Sequence, residues 1–415
     1  MQLNGVVEIN GWTRVLLAVV CGVAVASVYA AQPVLGQMGR DLGVPVDALG
    51  WFVAVGQLGY LIGLILLVPL GDLLDRRRLI VVHLVLVAAG LLVVAVASET
   101  WLAFVGLAMA GLFAVVVQTA VAYATALSAP SERGRNIGIV TSGVLIGILG
   151  VRLLAGLLTE LWGWRSLYLV LAILAAVLAA SVLILLPPDV RGRASRYRTL
   201  LRSFAGMFTQ PAFLGRGLIA FFLFASFGAL WSGLALPLSA SPWHLSEAEI
   251  GLFGLAGLAG AAGAGRAGRW ADTGRANRAA GFALVSLVVS WLAIGQLGWS
   301  LILLVAGVIL LDFAVQVVHV SNQHFLTATY VDRMSTTVGA YMVFYSLGSA
   351  LGAATTTAVY DSAGWIGSAV LGALFATGGL LAWGLSARAG HEGAARRGVR
   401  GERRCHRLEP PHPAG

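Results

Sequence analysis

Two charged side chains lie deep inside otherwise apolar segments of this 415-residue sequence. Arg152 falls within the apolar segment 137–161, and Asp312 falls within 301–327. A charge in a membrane interior is costly and is a functional candidate by default, so each must find a partner or change protonation. Arginine keeps its proton, whereas a desolvated carboxyl group can take one up. We therefore predict that Asp312 exchanges a proton and that Arg152 is the fixed positive charge opposing its protonation; a purely structural pair is the alternative.

Polar residues follow Asp312 at helical spacing in the stretch DFAVQVVHVSNQ. Residues spaced i, i+4, i+7 and i+11 share one helical face, here Asp312, Gln316, His319 and Gln323. The pattern predicts a face lining a water-filled cavity, with an interhelical hydrogen-bond seam as the alternative. His319 is either a proton relay or a simple hydrogen-bonding group. Further candidate cavity residues, each of which could instead serve packing, are Tyr29, Gln32, Gln118, Trp231, Asn322, Tyr341 and Tyr345.

The composition indicates an all-α membrane protein. The chain is 59% hydrophobic and 11% charged, with mean hydropathy +0.88, whereas soluble proteins carry about 25% charged residues. One span takes roughly 20 apolar residues, so about a dozen fit. The net charge of +9 comes from basic loops and the basic tail, and we expect these to face lipid headgroups and not nucleic acid. Because no phosphate-binding loop and no metal-ligand spacing occur, we predict no enzyme activity, cofactor or metal.

Apolar periodicity and an internal repeat predict two six-helix bundles. Segment 49–52 recurs as 250–253, and 160–164 recurs as 361–365, both shifted by 201 positions. Such repeats are typical of transporter folds with a substrate site between the halves. The predicted domains are an N-terminal bundle at 1–186, a linker at 187–214, a C-terminal bundle at 215–386 and a basic disordered tail at 387–415. The first span lacks a strongly basic leading segment, which favours a retained helix over a secretory signal.

The loop after the second predicted span carries Gly71-x-x-x-Asp75-Arg76, and Gly268-x-x-x-Asp272 with Arg275 repeats it. This motif resembles the signature loop of the major facilitator superfamily. Arg77-Arg78 depart from the family pattern, which has a later glycine and a basic pair. The resemblance implies a major facilitator fold of twelve transmembrane helices and a cytoplasmic latch, whose residues would be Gly71, Asp75, Arg76, Asp272 and Arg275. Setting topology alone is the other interpretation of these residues.

Other motifs resemble the twelve-helix drug–proton antiporters and efflux-permease-like members of that family. Gly163-Trp164-Arg165 ends the fifth span, Tyr29 to Pro33 give Tyr-x-x-Gln-Pro, and His319 to Gln323 give His-Val-Ser-Asn-Gln. Arg152 replaces the proline of the family's fifth-helix motif. The resemblance implies export of a small molecule against protons by alternating access. A proton- or ion-coupled importer and a non-transporting membrane sensor remain alternatives.

Arginine placement predicts the orientation. Most loop arginines fall on one side of a twelve-span chain, and Arg40 and Arg165 are the exceptions. Since cytoplasmic loops carry an excess of arginine, both termini are predicted to be cytoplasmic, in a cell (inner) membrane. The expected partners are a small-molecule substrate, protons and membrane lipid, and the expected state is a monomer.

Overall fold

The computed structural model describes residues 10–129, 132–188, 197–262, 276–330 and 334–405, and these are helical with no β-strand among them. In this part of the chain, ten helical segments are long and apolar enough to cross a membrane. Gly364 divides one of them, Thr336–Ser386, into two helices, and Glu247–Ala262 is a further apolar helix of 16 residues. The all-α membrane architecture is therefore confirmed.

The N-terminal bundle begins at Asn10, whose side chain accepts a hydrogen bond from the Thr13 N–H at 2.8 Å and so caps the first helix. Short 3₁₀ segments and turns join its helices. These are α1 (Gly11–Tyr29), α2 (Leu35–Leu42), α3 (Gly50–Leu66), α4 (Arg76–Ala95), α5 (Thr100–Phe113), α6 (Val116–Leu127), α7 (Arg133–Trp162) and α8 (Trp164–Leu185).

The C-terminal bundle follows a linker helix, α9 (Tyr197–Met207). Its helices are α10 (Pro211–Gly233), α11 (Ala235–Ser239), α12 (Glu247–Ala262), α13 (Ala276–Ile294), α14 (Leu301–Thr329) and α15 (Met334–Cys405). Gly364 breaks α15 with φ 62°, and Gly163 separates α7 from α8 with φ 79°. Positive φ favours glycine, so the repeated glycine marks the same turn in both halves.

The end of α15 differs from the sequence-based expectation. Residues 387–405, predicted to be disordered, continue the helix backbone, whereas 406–415 lie outside the described residues. The six arginines and four alanines of this segment favour helix, whereas its four glycines do not.

The two bundles meet along two glycine-lined seams. In the α3–α15 seam, the Gly50 N–H donates to Thr357 Oγ1 at 3.0 Å, and a Cβ on Gly50 would collide with the Ala353 carbonyl oxygen. In the α7–α12 seam, a Cβ on Gly251 would lie 2.9 Å from the Arg152 carbonyl oxygen. Gly50 and Gly251 occupy equivalent positions of the internal repeat, so the same repeat position brings two helices close together at each seam.

The seams lie toward the face opposite most arginines. We call the end of the bundles that carries the start of α4 and the linker helix the arginine-rich face; its arginines include Arg76, Arg77, Arg78, Arg133, Arg135, Arg198 and Arg202. On the opposite face, the Ala248 N–H at the start of α12 donates to Glu160 Oε2 at 3.1 Å. Each seam thus has a side chain of one bundle bonded to a helix start of the other.

Candidate functional site

Arg152 lies inside α7, facing the C-terminal bundle, and is 3% exposed. Its Nη1 donates to the Ile148 carbonyl oxygen at 2.9 Å, and its Nη2 donates to Gln32 Oε1 at 3.1 Å. Its Nε has no hydrogen-bond partner among the described residues. Two neutral acceptors therefore hold the guanidinium, and neither balances its charge.

Trp231 of α10 connects this guanidinium to Asp312 of α14. The Arg152 Cζ lies 3.7 Å from the centre of the indole ring, close enough for a cation–π interaction. The indole Nε1–H donates to Asp312 Oδ1 at 3.3 Å. The two charges predicted from sequence thus come together through an aromatic ring. We call Arg152, Trp231 and Asp312 the charge bridge.

Asp312 is 3% exposed, and its Oδ2 has no hydrogen-bond partner among the described residues. Two glycines of α12 make room for it. A Cβ on Gly257 would collide with Oδ2, and a Cβ on Gly260 would lie 3.1 Å from the Asp312 Cβ. Neither glycine was predicted to be a site residue, although their spacing of three residues, close to one helical turn, could have suggested a close helix contact.

An aromatic wall surrounds the charge bridge. The centre of the Phe227 ring lies 5.7 Å from the Arg152 Cζ, and the Phe224 and Tyr345 rings are 3.9 Å apart, centre to centre, and tilted by 51°. Tyr29 of the N-terminal bundle and Tyr345 share a hydrogen bond between their hydroxyl groups. Gln32 also approaches Ser232, with 3.5 Å between Nε2 and Oγ. Predicted residues from both bundles therefore meet here: Tyr29, Gln32, Trp231 and Tyr345.

His319 belongs to a different hydrogen-bonded group. Its Nδ1 lies 3.2 Å from the Tyr341 hydroxyl, and its Nε2 lies 3.1 Å from Gln323 Nε2. No hydrogen bond within the described chain joins it to Asp312, two turns away. Gln316, between them, is half-buried. The proton-relay role of His319 gains no support from these contacts, and its hydrogen-bonding role has two observed partners.

Two other predicted cavity residues lie away from the charge bridge. Gln118 donates to the Tyr60 hydroxyl at 3.1 Å inside the N-terminal bundle. Asn322 is fully buried, and its Oδ1 accepts from Arg216 Nη1 at 3.2 Å. Arg216 was missed because its predicted span began at 215. Pro211 is the signal that could have found it, since proline favours a first helical turn and puts Arg216 inside the helix.

The expected latch is only partly described. Asp75 Oδ1 accepts from the Arg78 N–H at 2.8 Å and caps α4, whose first residue is Arg76. Gly71 lies in the 3₁₀ helix Val68–Asp72. Asp272 and Arg275 lie outside the described residues. The latch stays a prediction, and capping is an observed role for Asp75.

Comparison with known proteins agrees with this architecture. The family model of the Major Facilitator Superfamily matches residues 17–353. The uncharacterized transporter YgaY of Escherichia coli is 40% identical over 377 residues, which cover 91% of this chain and 96% of YgaY. A bacterial homolog of the human lysosomal transporter Spinster, in an inward-facing and occupied conformation, has a TM-score of 0.75 at 15% identity, covering 91% of this chain and 96% of that one. The nucleoside transporter NupG has a TM-score of 0.72 at 12% identity, covering 91% and 99%.

The family model and the relatives named as transporters identify a multi-pass membrane transporter. The chain belongs to the Major Facilitator Superfamily. The family recognised from the loop motif is thereby confirmed.

Proposed function

We propose that this transporter exports a small molecule in exchange for protons by alternating access. The observation that carries the proposal is the charge bridge, a buried acid and a buried arginine on different bundles, joined through Trp231. A change of protonation at Asp312 would alter the attraction between the bundles, because charges in a low-dielectric interior interact strongly.

Asp312 is the proposed proton carrier. Its Oδ2 lacks a hydrogen-bond donor in the described chain and can receive a proton without breaking the bond from Trp231 to Oδ1. Arg152 supplies a permanent positive charge that favours proton release. Protonation removes the attraction, and the bundles then separate along the seams more easily.

The proposed cycle uses the orientation predicted from arginine placement. With the arginine-rich face in the cytoplasm, the two seams close the outer side, so that the structure corresponds to an inward-facing state. The proposed substrate path is the aromatic and polar surface around Tyr29, Gln32, Trp231 and Tyr345, since aromatic faces with few polar groups suit small organic molecules.

The proposal is tested by flux in proteoliposomes with an imposed pH gradient. Export predicts substrate movement opposite to protons, import predicts the same direction, and a sensor predicts no flux. Asp312→Asn should abolish gradient-driven transport and retain substrate exchange, because exchange needs no net proton transfer. Glu99→Gln, at an exposed carboxyl group outside the charge bridge, is the matched control. Gradient-driven accumulation or expulsion by Asp312→Asn would place proton coupling elsewhere.

A further inference from the structure

A second buried arginine lies inside the C-terminal bundle, apart from the charge bridge. Arg216 of α10 is 9% exposed. Its Nη1 donates to Asn322 Oδ1 at 3.2 Å, its Nη2 donates to Asn277 Oδ1 at 3.0 Å, and its Cζ lies 4.2 Å from the centre of the Phe325 ring. All three neighbours are neutral. No carboxylate within the described ranges forms an ion pair with Arg216, so no described side chain balances its positive charge.

A cavity of about 310 Å³ opens beside this arginine between α10, α13 and α14. Its volume falls at the lower end of the range for small-ligand pockets. The polar and aromatic residues that line it are Arg216, Asn277, Ser321, His324, Phe325 and Thr329. Among the described residues, the wall therefore combines a fixed cation with hydrogen-bonding groups and carries no carboxylate.

One further polar group of the cavity wall lacks a partner in the described part of the chain. Ser321 is 1% exposed, and its Oγ has no hydrogen-bond partner within the described chain. A buried donor without an acceptor is costly. A ligand rich in acceptor oxygens would match an unbalanced guanidinium and neighbouring donors.

The cavity lies at the arginine-rich end of the bundle. Arg216 is five residues after the start of α10, Asn277 is the second residue of α13, and Thr329 is the last of α14. Five residues of helix rise by roughly 8 Å, so the guanidinium would lie near the level of lipid phosphates if α10 begins at the membrane surface. Basic pockets between membrane helices at this depth suit phosphate headgroups.

We propose that this cavity binds a phosphate oxyanion, with Arg216 as its main ligand. The planar guanidinium presents paired N–H donors that match phosphate oxygens, which a single ammonium group does not. The phosphate is either free or part of an anionic lipid headgroup. The site does not include the charge bridge, so it stands whether or not Asp312 carries protons.

The test measures the thermal stability of the full chain in nanodiscs of zwitterionic lipid. Inorganic phosphate is titrated at constant ionic strength, and in a second arm phosphatidylglycerol is added to the discs. Binding to the folded state raises Tm in a concentration-dependent way. We expect Arg216→Gln to raise the half-saturating concentration at least about tenfold, because it removes charge-assisted hydrogen bonds. Arg202→Gln, at an exposed arginine of the same face, should match the wild type.

The two arms separate the sources of phosphate. A rise of Tm with inorganic phosphate alone supports a soluble ligand, and a rise only with phosphatidylglycerol supports a lipid. Ala328→Leu, which adds bulk to the cavity wall and leaves Arg216 in place, should lose the response while remaining folded. The proposal is overturned if Arg216→Gln responds like the wild type in both arms. If Arg216→Gln does not fold, a full response by Ala328→Leu overturns it.

Discussion

The indole of Trp231 separates the charges of Arg152 and Asp312 and changes what they can do. In a direct ion pair, guanidinium donors could occupy both carboxylate oxygens. Here a single indole N–H occupies Oδ1, and Oδ2 is left without a donor in the described chain. The carboxyl group therefore stays within the field of Arg152 and keeps an atom for a proton.

Trp231→Phe should lower gradient-driven flux by roughly tenfold or more, because the ring over Arg152 is kept while the hydrogen bond to Asp312 is lost. Flux in proteoliposomes measures the effect. Trp291→Phe is the matched control, since it also removes a buried indole donor, which bonds Ser226 Oγ at 2.7 Å within the same bundle. Equal losses in the two variants would mean that general packing, not the charge bridge, explains the defect.

Among single residues, the sequence predicted the buried charges better than the side chains that contact them. Arg152 and Asp312 stood out because a charge is rare in an apolar run. Trp231 was only one cavity candidate among several, since an aromatic residue in such a run more often serves packing. Arg216 escaped notice because a predicted helix end is uncertain by several residues, and here that uncertainty decides whether an arginine is exposed or buried.

Among the helices, the seams depend on glycine where backbones approach closely. Gly50→Ala should open the α3–α15 seam, because a Cβ there would collide with the backbone at Ala353. The distance between spin labels at exposed positions 47 and 361, in a background without the native cysteines, should then shift to longer values. Gly150→Ala, which has open space around its added Cβ, should leave the distance unchanged. An unchanged distance in Gly50→Ala would show that this seam does not hold the closed face.

The start of α4 allows capping to be separated from charge. Asparagine caps a helix about as well as aspartate, whereas alanine costs about 1 kcal/mol. Asp75→Asn should therefore keep the stability of the wild type and slow transport if the latch depends on the charge. Asp75→Ala should lower both. Turnover and thermal unfolding of the two variants give the answer, and wild-type turnover in Asp75→Asn would rule out the latch.

Helix positions were predictable from apolar runs, and one pair of joints between helices was predictable from the internal repeat. Gly163 and Gly364 occupy equivalent positions in the repeat of segment 160–164, and both adopt positive φ. The helical backbone of 387–405 was not predicted, because the high density of charge and glycine indicated disorder, whereas the arginines and alanines of the segment favour helix.

Over the whole molecule, the asymmetry of arginine is the strongest indication of orientation. The Tyr197 hydroxyl of α9 donates to the Leu66 carbonyl oxygen at 2.9 Å, beside the loop that precedes α4. The linker helix therefore lies on the arginine-rich face with Arg76 to Arg78. On the opposite face, Arg165 pairs with Asp41 at 2.9 Å, so this exceptional arginine is partly neutralised. The positive-inside rule then predicts a cytoplasmic arginine-rich face.

Reporter fusions test this orientation directly. Fusions within 189–209 and after Gly415 should both give a cytoplasmic signal, because the chain makes an even number of passes between them and the linker lies on the arginine-rich face. A fusion at Trp243, in the turn between α11 and α12, should give an external signal and is the internal control. An external signal from the linker fusion would reverse the orientation, and the seams would then close the cytoplasmic side. In that case the structure would correspond to an outward-facing state, and the proposed direction of proton movement through Asp312 would have to be re-examined.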